Sequence, residues 1–239
     1  MPDGTVEAYR NADGWKLFRN IEVDDKTYPA EEIEVQITDA GYATFFYSDA
    51  DYLLPDGLSA LIVTDITPDG RLVYESLADI IESNTVPAGL AVILATDNGN
   101  GGLFKLQLAG RNYSNGFNNL LIGTDVDTLT YAPESSLFYK LSLGPSGSDL
   151  KDVPGWYWAA PDGGAFNIGA HKAWLAIPKS KNTRSSGFGL DGYPTGMIEV
   201  IADSSETETI MYDLYGRRLS APVGHGLMII NGKKVYISE

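Results

Sequence analysis

Cysteine is absent from the 239 residues. That absence excludes disulfide bonds, thiolate metal sites and cysteine nucleophiles together. Histidine occurs twice, as His171 and His225, and neither belongs to a His-Glu-x-x-His pattern. A histidine-bound catalytic zinc is therefore not expected, and His171 reads as a strand-start residue and His225 as a turn residue. Basic residues are few: 17 Lys and Arg stand against 32 Asp and Glu, a net charge of −15. Binding a phosphate backbone takes clustered positive charge, so nucleic acid and anionic membrane surfaces are excluded as partners. No apolar run approaches the ~20 residues that cross a bilayer as a helix, so no transmembrane segment is expected. The opening MPDGTVEAYRNADGW has neither the basic nor the apolar stretch of a signal peptide, and none is expected there.

Recognisable catalytic spacings are lacking too. GPSGS at Gly144–Ser148 misses the last glycine of a nucleophile elbow and reads as a flexible turn between β-type runs. DNGNGG at Asp97–Gly102 lacks the Lys-Ser/Thr and the helix that a phosphate loop requires. The many acids neither exclude nor identify the carboxylate pair of a glycoside hydrolase. No cofactor is expected. Calcium is the one metal the loops would suit, because SDADYLLPDG, TDNGNGG and GTDVDT cluster oxygen ligands. Asp97, Asp125 and Asp127 are its candidate ligands. None of these stretches has EF-hand spacing, and Asp and Asn are also ordinary turn residues.

What is present is a β pattern. Hydrophobic residues make up 44% of the chain, enough to build a core. Short runs such as YATFFY, SALIVTDI, GLAVILAT, SLFYKLSL and KAWLAIP recur between Gly, Pro, Asn and Asp punctuation. The spread of 26 glycines and 12 prolines suits a sandwich or barrel. One helical turn is expected, over SLADIIES at Ser76–Ser83.

An internal repeat is also expected. VPAGLAVILAT aligns with IGAHKAWLAIP, placing Ala88 on Ala170 and Ala91 on Ala173 at an offset of 82. Pro55 and Pro133 align at an offset of 78. The expected architecture is thus a duplicated, pseudo-symmetric β-sandwich or barrel over 33–190. An N-terminal β segment over 1–32 precedes it, as the end of an upstream domain would, and a small β-meander unit follows over 195–239.

Aromatic residues offer one binding handle. PGWYWAAPDGG places Trp156 and Trp158 on one face of a strand and Tyr157 on the other. With Tyr139, the two tryptophans would form a platform for sugar rings if exposed, or plug the core beside Trp174 and Phe166 if buried.

The tail IMYDLYGRRLSAPVGHGLMIINGKKVYI contains a strong hairpin signal, Asn231-Gly232 between two alternating strands. Tyr212, Asp213, Leu214, Gly216, Arg217, Arg218, Gly232, Lys233 and Lys234 fit the pattern YDLxGRR…GKKV. With them the tail resembles the C-terminal segments of secreted and surface proteins of Bacteroidota, including type IX secretion sorting domains. Met228 stands where those segments usually carry an aromatic. Blocks of the body, among them TVPAGLAVIL, AHKAWLAIP and GFGLDGYPTGM, are similar to recurrent blocks of the same group. The resemblance covers most of 33–239 and implies an extracellular or outer-surface β-rich module; it brings no catalytic residues. The resulting expectation is a non-enzymatic adhesion or accessory module with a display tail, whose partner is a glycan or a surface protein. A carbohydrate-binding module is the second expectation and a glycoside hydrolase the third.

Overall fold

The computed structural model describes residues 6–14, 20–23, 26–81, 83–109, 113, 115–146, 150–181 and 185–190, and the backbone of four strands within 211–237. The chain divides into two units, 1–198 and 199–239, the second starting at 199 against an expected 195.

Unit one opens with helix α1 (Val6–Arg10) and a hairpin of β1 (Asn20–Val23) and β2 (Lys26–Pro29). Val6 and Ile21 are buried together against Tyr9, a small core of their own. α1 was not legible as helix, being only five residues long.

Three antiparallel sheets follow. The first has the order β3 (Glu32–Ile37), β10 (Gly102–Leu108), β5 (Tyr52–Leu53), β8 (Thr85–Val86). The second has the order β4 (Tyr42–Phe45), β9 (Val92–Thr96), β6 (Leu58–Ile66), β7 (Leu72–Ser76). The third has the order β11 (Leu121–Thr124), β16 (Lys172–Pro178), β13 (Ser136–Leu143), β14 (Pro154–Tyr157), β17 (Gly187–Gly189). A two-stranded ribbon of β12 (Thr128–Leu129) and β15 (Asn167–Ile168) completes the strands of this unit. Helix α2 (Leu77–Ile81) falls inside the stretch expected to be helical.

Side-chain alternation explains the layering. In β3, Ile33, Val35 and Ile37 are buried while Glu32, Glu34 and Gln36 face water, the period of a sheet covered on one side. They meet Phe45, Leu58, Ile62, Val92 and Leu94 of the second sheet. That second sheet is covered on its other face as well: Val63, Leu72 and Ile93 pack against Leu121, Leu175, Ile177 and Trp156 of the third. β9 is therefore apolar at consecutive positions, with Val92 and Leu94 facing one core and Ile93 the other. β16 does the same, sending Ala173, Leu175 and Ile177 inward and Trp174 and Ala176 to a further cluster with Phe166 and Ile168. The architecture is an all-β sandwich of three stacked sheets.

The second and third sheets share a strand order. Sequential strands β4, β6, β7, β9 stand as β4-β9-β6-β7, and β11, β13, β14, β16 stand as β11-β16-β13-β14. The registers agree as well. Leu58↔Thr96 through Leu61↔Ile93 in the second sheet match Ser136↔Pro178 through Tyr139↔Leu175 in the third. The offsets are 78 for β6/β13 (136 − 58) and 82 for β9/β16 (178 − 96). The β5–β8 pair likewise has a counterpart in β12–β15.

Unit two is a four-stranded antiparallel sheet in the order β19 (Arg218–Leu219), β18 (Met211–Tyr212), β20 (Gly226–Ile230), β21 (Lys233–Ile237). Ile230 pairs with Lys233, the register that a two-residue connection demands. Of the tail residues singled out, Tyr212, Arg218, Lys233 and Lys234 lie on these strands; Asp213, Leu214, Gly216, Arg217 and Gly232 lie outside the described residues, as does His225.

Candidate functional site

Two acidic loops outside the aligned blocks of the repeat correspond as well. Ser48-Asp49-Ala50-Asp51-Tyr52-Leu53 matches Thr124-Asp125-Val126-Asp127-Thr128-Leu129 at an offset of 76 (127 − 51). Buried Asp51 accepts the Ala88 N–H at 2.8 Å and the Tyr113 N–H at 2.7 Å. Asp127 accepts the Ala170 N–H at 2.9 Å, and Ala170 is the residue aligned with Ala88. Each second aspartate thus ties its loop to the turn that enters the following long strand. The signal for them was a conserved spacing between two polar blocks, which ordinary turn composition conceals.

The next residue in each turn has a left-handed backbone, Gly89 at φ 74° and His171 at φ 56°. Glycine adopts that region without a Cβ penalty, whereas a non-glycine residue there costs about 1 kcal/mol or more. His171 is held in it by side-chain contacts: its ring stacks on Tyr47 at 5.0 Å and 12°, and Nδ1 lies 3.1 Å from Asp125 Oδ1. The same Oδ1 accepts the Ser48 N–H at 3.3 Å.

Two of the three candidate calcium ligands take part in these bonds. Asp125 and Asp127 turn their carboxylates to protein donors. Asp97 sits in a turn where its own N–H donates to Gly57 C=O. Among the described residues no three His, Asp or Glu side chains gather as a metal site.

The aromatic platform is corrected. Trp156 and Tyr139 are 0% exposed, inside the core between the second and third sheets. Tyr139 donates its hydroxyl to Ser185 C=O at 2.8 Å and meets Phe188 edge-to-face at 5.2 Å. Burial pushes its pKa up to about 12, an effect the neighbouring Trp158 indole partly opposes. Trp158 packs against the same core, its Nε1 buried and close beneath Gly163. The rings of Trp156 and Tyr139 are therefore closed to a sugar, while Trp158 is half-buried against the same core.

The open feature lies where the third sheet splits. β13 and β16 pair from Ser136↔Pro178 to Tyr139↔Leu175; the next rung, Leu141–Ala173, is not made. Beyond it β13 stays with β14, while β16 stays with β11 and turns its Ala173 N–H to Thr44 Oγ1 at 3.1 Å. Between the diverging strands and the edge strand β4 is a cleft of about 590 Å³, in the range of ligand sites. Gln36, Asp39, Tyr42, Lys140, Leu143 and Lys172 are on its walls. Lys140, an exposed cation, stands on the wall of this cleft in a strongly acidic chain.

Its backbone is aimed. Gly144 N–H bonds Val153 C=O, so in the antiparallel alternation Ser142 and Lys140 direct their backbone groups to β14. Leu141 and Leu143 then direct theirs to the opposite edge, into the cleft. Pro154 opposite Leu143 fits this phase, since that position requires no donor toward β13. Leu143 is 49% exposed at the rim and Val153 40%.

Two further clefts lie beside the β12–β15 ribbon and beside Thr64 and Phe117. Each of the three holds a single carboxylate, Asp39, Asp127 or Glu75 respectively, where glycoside hydrolysis takes a facing pair. No family model, no curated protein and no solved structure matches the chain.

Proposed function

We propose that this chain is a non-enzymatic binding module, secreted or displayed on the outer cell surface, with the split-sheet cleft as its recognition site and residues 199–239 as its display unit. The cleft carries the reading. It is a concave site of ligand size, walled by strands of a buried sandwich, and it offers directed backbone groups and lysines. Adhesion or an accessory role follows from such a site, because rigid strands position contacts without the paired acid and base of a hydrolase. The resemblance of the YDLxGRR…GKKV tail supports the destination. The shared strand order and registers of the second and third sheets support an origin by duplication of one strand unit.

Cell fractionation in the encoding organism tests the reading. The full chain is expected at the surface, open to protease on intact cells, and a chain ending at residue 198 is expected to stay inside. A full-length chain found only in the cytosol overturns the proposal.

A further inference from the structure

The second sheet contains the counterpart of the cleft, and there it is filled. β6 and β9 pair down to Leu61↔Ile93, and the next rung, Val63–Ala91, is not made. With the offsets of 78 and 82 already given, Val63 corresponds to Leu141 and Ala91 to Ala173. In the second sheet both carbonyls of the open rung have partners from one extended segment. Leu120 N–H donates to Val63 C=O at 2.7 Å, and Asn119 Nδ2 donates to Ala91 C=O at 2.7 Å. Asn119 Oδ1 also accepts the Leu121 N–H at 3.1 Å, which fixes the carboxamide, and Leu120 packs into the core beside it. The corresponding Leu141 and Ala173 line the open 590 Å³ cleft, and the bonding phases of β13–β14 and β11–β16 direct their carbonyls toward it.

From this we infer that the cleft between β13 and β16 binds an extended peptide segment of a partner protein, one that presents an asparagine followed by a leucine or similar apolar residue, with acidic residues beside them. The inference rests on the binding-module reading and names the partner class for its site. The asparagine carboxamide bonds Ala173 C=O, the next main-chain N–H bonds Leu141 C=O, and the apolar side chain lies against Leu143. This is strand addition at a sheet edge: main-chain bonds supply affinity, and the side-chain positions supply selectivity. The exposed Lys140 lies on the cleft wall and favours acidic residues in what enters.

The chain contains its own probe. Residues 116–127, GFNNLLIGTDVD, carry Asn119-Leu120 and two aspartates. A fluorescent peptide of that sequence, titrated with the full chain and followed by anisotropy, is expected to saturate. Replacing the second of its two asparagines, the equivalent of Asn119, by alanine, or its first leucine by proline, removes one hydrogen bond each and is expected to weaken binding about tenfold or more. Lys140→Glu in the protein changes an exposed side chain and is expected to weaken binding severalfold without unfolding. Because the chain has no cysteine, a fluorophore on Leu143→Cys reports whether the peptide sits at the rim. No saturation up to about 1 mM, or affinity indifferent to both the asparagine change and Lys140→Glu, overturns the inference. Self-association that Lys140→Glu abolishes, without peptide binding, assigns the cleft to a second copy and overturns it too. Surface display with no peptide binding sinks this inference alone; a cytosolic chain that binds the peptide sinks the display reading alone.

Discussion

Tyr139 is wholly buried, and its phenol stays protonated to about pH 12 because burial disfavours the anion. In the unfolded chain the same phenol ionises near 10. The folded pKa is the higher one, so this contribution to stability is complete below pH 10 and is lost as pH rises toward 12. The loss reaches up to ~1.4 kcal/mol per pH unit in that window. Tyr139→Phe gives up the bond to Ser185 C=O, about 1–2 kcal/mol at pH 8, but escapes the titration. The stability gap between wild type and this variant, read by urea unfolding, is expected to shrink steadily from pH 10 to 11.5. A constant gap contradicts the assignment. His171 provides a second residue-scale test. His171→Ala loses the Tyr47 stack and the Asp125 contact yet keeps the left-handed strain, whereas His171→Gly relieves it. Alanine is therefore expected to be the worse replacement by about 1 kcal/mol in thermal or urea unfolding. Glycine no better than alanine contradicts this account of the turn.

Among the elements, β9 and β16 are buried on both faces. Ile93→Ala in β9 and Leu175→Ala in β16 each open a cavity between the second and third sheets and are expected to cost about 2–5 kcal/mol. Trp156→Ala is expected to cost about 3–5 kcal/mol and to show up as lost stability, in denaturant midpoints, before any loss of ligand binding. The alternation of β3 was passed over, whereas many of the strands were legible, because short apolar runs mark β4, β6, β9, β13 and β16. So was the helical turn at Leu77–Ile81. Which faces were covered was not legible. The Trp156–Trp158 segment alternates as expected, but alternation cannot tell a water-exposed face from one roofed by another layer. The offsets 78 and 82 were readable from Pro55/Pro133 and Ala91/Ala173, and they coincide with the strand registers. The splitting of a ladder at one rung leaves no mark in composition, so the cleft appears only in three dimensions. The aspartate loops lie between these cases: their 76-residue spacing is in the sequence, but their hydrogen bonds to Ala88 and Ala170 belong to the fold.

At the scale of the whole molecule, a chain of net charge −15 has an exposed lysine, Lys140, on the wall of its split-sheet cleft. Such a contrast directs acidic segments to the site and makes their association sensitive to salt. The second and third sheets carry the same gap, filled in one and open in the other. The first, closed by Asn119 and Leu120, joins the halves of the sandwich. The second lies open, on strands packed into two core clusters, and receives a partner in the proposed role. The most direct test is a two-dimensional amide spectrum of the full chain, recorded with and without the 116–127 peptide. The account predicts that Leu141, Leu143 and Ala173 move on titration, and that Leu141 and Leu143 gain protection from hydrogen exchange while Lys140 and Ser142, already bonded to β14, change little. Amides of the cleft that stay still, with shifts elsewhere or none at all, would contradict it.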